Sequence, residues 1–551
     1  MSIVPVEAVP VPSTAPAPPA PPTAPIPSWP VPTREADGTR AAALRRLRGL
    51  HIRDVAVFGV FVAIFAMALR PVVDNDVFWH LATGRYIWAT GRVPHADPFS
   101  WTAPGRPWIA HEWLTETLLY PLYTHGGYAA LMLVFAAAIT GAFAVAYATA
   151  RLLGAARPLA LLVTLLAAVA SSHTWGVRPQ MLSLLLIAVA MALLTRATLL
   201  GRPRLLWLLP ALMALWVNLH GGFIFGLALI GLYAAGETCE WILSVFRRGA
   251  AARGAPWRLW LTLAASVATC LLNPNGARGL LYPFSYLGDN ASMRYIAEWV
   301  RPDFHQFQYQ LFGALLIALV VGVVFSSRRP RATEALLAIL FAYLGLRSVR
   351  NINLFCVVVA PIIAFYLSLV WRRVRMWATA RGAQGAVSAR AEGKARPLVE
   401  TVPAKVALDW LFAAVIVGAV AVVSAPGLTA RHNATVQARL YPVGAVAYLR
   451  AHRPAGRLFN SYDWGGYLIW NLYPRERVYV DGRPDMYGDR FMDLFVRTWH
   501  AQPGWQATLR RADVRLVLVE PRSGLGRALS HAHGWRVAYR DAVSVLYDRA
   551  G

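Results

Sequence analysis

The sequence predicts a polytopic α-helical membrane protein of about 11 transmembrane helices, with interfacial helices in its first outer loop and a soluble α/β domain at its C-terminus. Three observations carry this. The 551 residues are 57% hydrophobic and only 15% charged, with a mean hydropathy of +0.43, whereas soluble proteins carry about 25% charged residues. Apolar runs long enough to cross a bilayer as helices recur along the chain. Arginines and lysines gather in short segments between alternate runs, as the positive-inside rule requires.

The net charge is +26, from 54 Lys+Arg against 28 Asp+Glu. Such an excess can mark a nucleic-acid binder. Here the basic residues are divided among the short connections between apolar runs, so membrane topology accounts for them and nucleic acid is not an expected partner. Cys239, Cys270 and Cys356 lie in or beside apolar runs without CxxC spacing. They read as small buried hydrophobes, not as a disulfide framework or a thiolate metal site.

Residues 1–39 form a proline-rich tract without the basic start and apolar core of a signal peptide, and are expected to be a disordered cytoplasmic tail. Arg40, Arg45, Arg46, Arg48 and Arg53 follow and hold the N-terminus in the cytoplasm. The transmembrane domain is expected over 40–426. Its spans fall near 54–71, 127–149, 157–172, 179–198, 204–219, 221–246, 257–272, 310–327, 332–347, 350–371 and 405–424. With the N-terminus inside, the inner loops are 150–157, 196–204, 247–258, 328–331 and 372–405, all basic and almost free of acid. The outer loops are 72–126, 172–179, 218–222, 273–309 and 347–351, and these carry His, Asn, Trp, isolated Arg and most of the acids. Insertion alone does not require that segregation, which points to an active face outside the cytoplasm.

An odd number of spans puts residues 427–551 on that face. Gly444–His452 reads as a helix and Arg457–Asn460, Arg477–Asp481 and Arg515–Glu520 as strands. Helices follow at about 488–499, 504–511 and 523–531. Trp535–Arg540 with Ala542–Tyr547 closes as a hairpin. Alternating strands and helices suggest a small, mostly parallel sheet.

The first outer loop, 72–126, is too long for a mere connection. It opens on Asp74 and Asp76, carboxylates placed where the chain leaves the bilayer, and ionisable groups there are functional candidates by default. Either aspartate would also serve as a helix cap. Asp76–Thr90 and Glu112–Tyr123 read as amphipathic, aromatic-rich helices suited to the membrane interface.

These features resemble the GT-C superfamily, the polyprenyl-phosphate-sugar-dependent glycosyltransferases that include the family 39 protein mannosyltransferases and the lipid A aminoarabinose transferase. The resemblance spans roughly residues 54–500. It rests on Asp74-x-Asp76-x-Phe78-Trp79-His80-Leu81, Pro98-Phe99-Ser100-x-Thr102, His111-Glu112-Trp113-Leu114, Arg178-Pro179-Gln180, Asn218-x-His220-Gly221-Gly222, Asn273-Pro274-x-Gly276 and Asp463-Trp464-Gly465-Gly466-Tyr467. The wording is similar to a bacterial subgroup of GT-C-like membrane proteins. Family 39 members enter the second loop helix through a Lys/His-Pro-Pro-Leu motif, and here Ala110–Leu114 stands in that place without the prolines.

The resemblance implies a multi-pass protein of the bacterial inner membrane that moves a sugar from a polyprenyl-phosphate donor to a hydroxyl of a glycan, lipid or protein. It implies that Asp74 or Asp76 is the general base, Asp74 being the nearer to the span. The other would orient the acceptor, or the pair would hold a divalent cation, Mg or Mn, which prefers oxygen ligands. Arginine suits a phosphate leaving group through its planar fork. Arg178, Arg347 and Arg350 are the candidates, the last two at the late hairpin where GT-C enzymes present a phosphate-binding base. His80, His111, Glu112, Asn218, His220 and Glu298 are candidates for acceptor or substrate contact. Histidines 80, 111, 173 and 220 would form a metal site only if they converged. Asp463–Tyr467 and Asp481–Asp485 follow strand candidates, where α/β sheets place ligands. A transporter or flippase of lipid-linked saccharides is one competing reading; its mark would be repeat symmetry and charges inside opposed spans, and the sequence has no internal repeat and few mid-span charges. A non-catalytic scaffold is the other, and it predicts indifference to the loop carboxylates.

Overall fold

Each of the eleven expected apolar runs is helical. The computed structural model describes residues 52–248, 255–287, 297–385 and 403–550. The expected tail 1–39 lies outside these, as do the middle of the basic loop 372–405 and part of the loop 273–309. Among the described residues, six helices are long and apolar enough to cross a membrane: Trp113–Leu153, Arg157–Thr174, Gln180–Leu199, Phe223–Phe246, Phe307–Phe325 and Ala407–Leu428. Val349–Val358 and Ala360–Thr379, bent by 51°, make a seventh if they count as one span. The chain is a multi-pass membrane protein, with six or seven full-length spans against the eleven expected.

The difference is one of length. Ile52–Ala68, Leu208–Leu219, Trp257–Thr269 and Ala332–Arg347 are helices of 17, 12, 13 and 16 residues, and a straight crossing takes about 20. Proline and glycine cut them short. Trp257–Thr269 starts after Pro256 and gives way to the Asn273-Pro274 turn, and Leu208–Leu219 stops at His220-Gly221-Gly222. The expected loop helix from Glu112 and the following span form one element, Trp113–Leu153. It breaks at Gly127, whose φ of 60° and ψ of −158° suit a residue without Cβ.

The C-terminal sheet has four strands, β1 (Arg457–Asn460), β2 (Val514–Val519), β3 (Trp535–Arg540) and β4 (Val545–Arg549), in the order β1-β2-β4-β3. Only β1–β2 is parallel; β2–β4 and β3–β4 are antiparallel. The mostly parallel sheet expected from the sequence is therefore mixed, because β3 and β4 close as a hairpin. The expected strand Arg477–Asp481 is not in the sheet. Val478 instead pairs with the first outer loop, donating its N–H to Phe99 O at 3.1 Å and accepting from Trp101 N at 3.1 Å.

That pairing belongs to a larger union. Phe78, Trp79, Phe99 and Trp108 of the first outer loop are buried in the same core as β1, β2 and β4. Phe78 meets Tyr441 and Tyr467 edge-on at 4.9 and 5.1 Å. Asp76–Thr90, expected at the membrane interface, is packed between the Trp113–Leu153 helix and the tail domain, with all of Val77–Gly84 buried. Its aromatic pattern serves protein packing.

Two contacts fix the union. Arg483, 2% exposed, clasps Asp481 through Nε and Nη2 at 2.7 Å each and reaches Asp97 of the loop at 2.8 Å, its guanidinium 4.5 Å over Trp108. Gly466 lies against the backbone of Asn75, and a Cβ there would collide with Asn75 O and crowd Trp79. Gly466→Ala is therefore expected to push the Asp74–Asp76 turn away from the tail domain and to cost about 1–3 kcal/mol by overpacking. Thermal unfolding of the purified variant checks this; an unchanged melting temperature would refute the close approach.

Candidate functional site

The chemically varied loops meet at one end of the bundle, against the tail domain. Asp74 sits in the turn after Ile52–Ala68, and its Oδ1 accepts from Asp76 N at 2.9 Å, tying down the start of Asp76–Thr90. Asp74 thus braces the turn before the helix, whose N-cap position is Asn75 and neither aspartate. Asp76 points elsewhere and accepts from Trp79 Nε1 at 3.0 Å. Arg178 precedes the Gln180–Leu199 helix and stands between the acids. It pairs with Asp74 through Nε and with Glu298 through Nη1, and its Nη2 lies 3.7 Å from Asp76. Glu298 is positioned by its backbone, whose carbonyl accepts from Ser348 Oγ at 2.9 Å, while Val349 N donates to Val300 O at 3.0 Å. The same hairpin carries Arg350, over Trp299 at 5.6 Å.

Two cavities meet at this group. One, of about 560 Å³, is lined by Asp74, Arg70, His173, Tyr441 and Glu520. The other, of about 550 Å³, is lined by Asp76, His80, Glu112, His220, Arg350 and Tyr282. Arg178, Glu298 and Asp463 border both. The two aspartates therefore face opposite cavities, with Arg178 between them.

The second cavity holds a buried network. Glu112 faces His80 Nε2 at 3.3 Å, His220 Nε2 at 3.4 Å and His111 Nε2 at 3.5 Å. His80 Nδ1 lies 3.1 Å from Glu116. Burial alone would raise the Glu112 pKa, but the three imidazoles, His80 foremost, hold it well below the usual carboxylate range. Burial lowers His220 to about 3, so its ring is neutral. For His80, burial works downward but is outweighed by Glu112, Glu116 and Asp76, and its pKa rises. Asp76 is pushed up to about 6, first by burial and then by the Asp74 charge, against the pull of Arg178.

Of the residues singled out in the sequence, Asp74, Asp76, His80, His111, Glu112, Arg178, His220, Glu298 and Arg350 come together. Two do not. Arg347, at the end of the Ala332–Arg347 helix, is exposed and lines neither cavity. Asn218 is a structural hydrogen-bonder: its amide donates to Ala214 O and Leu272 O, and its Oδ1 accepts from Trp113 Nε1 at 2.8 Å. Glu116 went unnoticed in the sequence. Its signal was the i+4 spacing from Glu112, which puts both carboxylates on one side of the helix start. Tail-domain Tyr462, Asp463, Arg483 and Asp485 also reach the second cavity.

The Asp74/Asp76 pair does not fit a divalent cation as it stands. Arg178 supplies the positive charge among these carboxylates, and Trp79 and the Asp76 N–H occupy further oxygens. Among the described residues, the side chains whose ligand atoms lie within 4.8 Å of one another are His80, Glu112 and Glu116, a buried group able to hold a metal.

No protein-family model matches this sequence, and no curated protein matches it. The fold is shared with solved structures. The archaeal oligosaccharyltransferase AglB from Archaeoglobus fulgidus, in complex with an inhibitory peptide and a dolichol-phosphate, superposes with a TM-score of 0.50 at 13% identity, over 84% of this chain and 69% of that one. The apo form of an Archaeoglobus fulgidus oligosaccharyltransferase gives 0.52 at 13% identity, over 85% and 69%. A form tethered to an acceptor peptide gives 0.51 at 13% identity, over 90% and 74%. The oligosaccharyltransferase is a GT-C superfamily member, so the resemblance read from the motifs holds at the level of the fold.

Proposed function

We propose that the protein is a membrane glycosyltransferase that moves a sugar from a polyprenyl-phosphate donor to a hydroxyl acceptor on the outer face of a bacterial inner membrane, its tail domain facing outward. The observation that carries this reading is the pair of cavities divided by Arg178, with one aspartate on each side. A transfer reaction needs two substrates brought to one point in fixed orientation, and a wall of acids and one guanidinium suits that point. The donor phosphate lies beside Arg350 and Arg178. Charge builds on it as the glycosidic C–O bond breaks, and these cations are aimed where it develops. The acceptor enters the other cavity, where Asp74 takes the hydroxyl proton as the oxygen attacks the anomeric carbon. Asp463, on a tail-domain turn bordering both cavities, contacts the acceptor. The dolichol-phosphate in one of the similar structures and the acceptor peptide tethered in another agree with a lipid-phosphate carrier and a protein acceptor.

The experiment is transfer from a labelled polyprenyl-phosphate sugar by the purified protein in lipid nanodiscs. Absence of transfer with every polyprenyl-phosphate sugar offered would refute the donor class.

Asp76 shares its cavity with the donor phosphate, where a second anion would repel it. With its pKa at about 6, Asp76 is mostly neutral below that pH and ionised above it. The KM for donor is expected to rise about tenfold between pH 5.5 and 7.5 as the neutral form is lost. Asp76→Asn, which mimics the neutral form, should flatten that rise. Initial-rate kinetics across the range check the sign, and a donor KM that falls with pH would refute it.

A further inference from the structure

The cavity of about 560 Å³ carries polar atoms that the transfer chemistry leaves unused. Arg70 lines it, two residues past the end of the Ile52–Ala68 helix. At 17 residues that helix is about 25 Å long, against a hydrocarbon core of about 30 Å. Arg70 therefore lies at the depth of the lipid phosphates. Its Nε donates to Met67 O at 3.3 Å, and it forms no ion pair among the described residues. An arginine that only snorkels extends its charge to open water. This one is half-buried and borders a cavity, on a face where positive charge is scarce.

Trp175 and His173 line the same cavity. Trp175 is 5% exposed, and its Nε1–H is buried without an acceptor among the described residues. His173 Nδ1 lies 3.1 Å from the Ala170 carbonyl, which can only accept, so the proton is on Nδ1. The lone pair at Nε2 is buried without a donor among the described residues. Buried polar atoms ordinarily find partners, and here the cavity can supply them. The tail-domain wall is different. Ser461 and Glu520 follow the C-terminal ends of the parallel strands β1 and β2, and Ser461 Oγ donates to Glu520 Oε1 at 2.9 Å. Glu520 Oε2 is buried with no donor among the described residues. Asp463 borders this wall as well, and burial pushes both carboxyls up. The cavity thus offers a cation and a donor beside the first span, and carboxylates beneath the tail domain.

We infer that the acceptor is a phosphodiester lipid with a hydroxylated headgroup, its phosphate on Arg70 and Trp175 and its hydroxyls toward Glu520, Asp463 and Asp74. The inference rests on the reading of this cavity as the acceptor's. A guanidinium fork matches phosphate oxygens, and carboxylates accept from hydroxyls. Arg70 and Asp74 are four residues apart, so their Cα atoms are at most about 14 Å apart. Phosphate and attacked hydroxyl then belong to one headgroup and not to the two ends of a long glycan. The hydroxyl oxygen bonds the anomeric carbon, its proton passes to Asp74, and the donor phosphate leaves with the electron pair of the broken C–O bond.

The test is lipid binding by the full-length protein in detergent, titrated with phosphatidylglycerol and read by native mass spectrometry. No sugar donor is supplied, so the result is independent of the donor class. Wild type should hold phosphatidylglycerol at least about tenfold more tightly than diacylglycerol, which lacks the phosphate, or phosphatidylcholine, which lacks the hydroxyls. Arg70→Gln should weaken phosphatidylglycerol by about 10–100-fold. Trp175→Phe keeps a ring beside Phe143, now 5.6 Å away, and should weaken it by about 2–10-fold; it keeps the test meaningful if Arg70→Gln misfolds. Arg347→Gln, at an exposed arginine that lines neither cavity, should bind as wild type does. Equal retention of the three lipids, wild-type binding by folded Arg70→Gln and Trp175→Phe, or an equal loss in Arg347→Gln would each overturn the proposal. Displacement of phosphatidylglycerol by an equal concentration of glycerol 3-phosphate would overturn the lipid source, and displacement by a short peptide of serine and aspartate would replace the lipid with a protein acceptor.

Discussion

Asp74→Asn is expected to lower sugar transfer by about 10²–10⁴-fold, the usual loss when a positioned general base is removed, with little change in stability. Asn is isosteric, and its side-chain oxygen can still accept from Asp76 N, as Asp74 does at 2.9 Å. Arg178 also retains Glu298 as a partner. The loss should thus appear in kcat more than in the KM for donor, since Asp74 lines the cavity opposite Arg350. Asp76→Asn is the internal comparison and should retain transfer within about tenfold at low pH, where Asp76 is neutral anyway. Reversal of the two effects would move the base to the other cavity. Equal, near wild-type transfer by both variants would end the catalytic reading of the turn.

Arg483→Ala is expected to be the most destabilising single change in the tail domain. Arg483 is 2% exposed, and Asp481 and Asp97 are 0% and 4% exposed. Removing the guanidinium leaves two buried carboxylates without their cation, and breaking such a group costs about 3–5 kcal/mol. Further partners hold the anions in place and cannot neutralise them: Tyr487 OH donates to Asp481 at 2.7 Å, and Phe99 N and Ser100 N donate to Asp97 at 3.0 Å each. Asp97 belongs to the first outer loop, so the fault should spread to the Asp74–Asp76 turn. Thermal unfolding and limited proteolysis of the loop around residues 91–108 check this. Unchanged melting and protection would show that the clasp contributes little. Arg483→Lys should fall between the two, since an ammonium cannot reproduce the fork.

The membrane character, the helical runs and the first-loop acids were legible in the sequence, because each rests on local pattern. An apolar run declares a helix whatever its partners, and Asp74 and Asp76 declare themselves by emerging from such a run. Arg178 was legible for the same reason, as a lone cation opening a helix. Span lengths were less so, since hydropathy does not fall where Pro256 starts a helix or His220-Gly221 stops one. Strand Arg477–Asp481 was misplaced because its alternation indicates extended backbone but not the partner, and Val478 pairs with Phe99 and Trp101 instead of β1 or β2.

What the sequence by itself determined is thus the class of the chain and the residue types in the loops that meet against the tail domain. Only the tertiary structure decided their company: that Asp74 and Asp76 face different cavities, that Arg178 is held by carboxylates, that Glu112 collects three imidazoles, and that Arg347 and Asn218 stand aside. The physical reason is sequence separation. Arg483 reaches Asp97 across 386 positions and Trp113 reaches Asn218 across 105. Such contacts follow from how helices of fixed length pack side by side, and no local period or propensity records them.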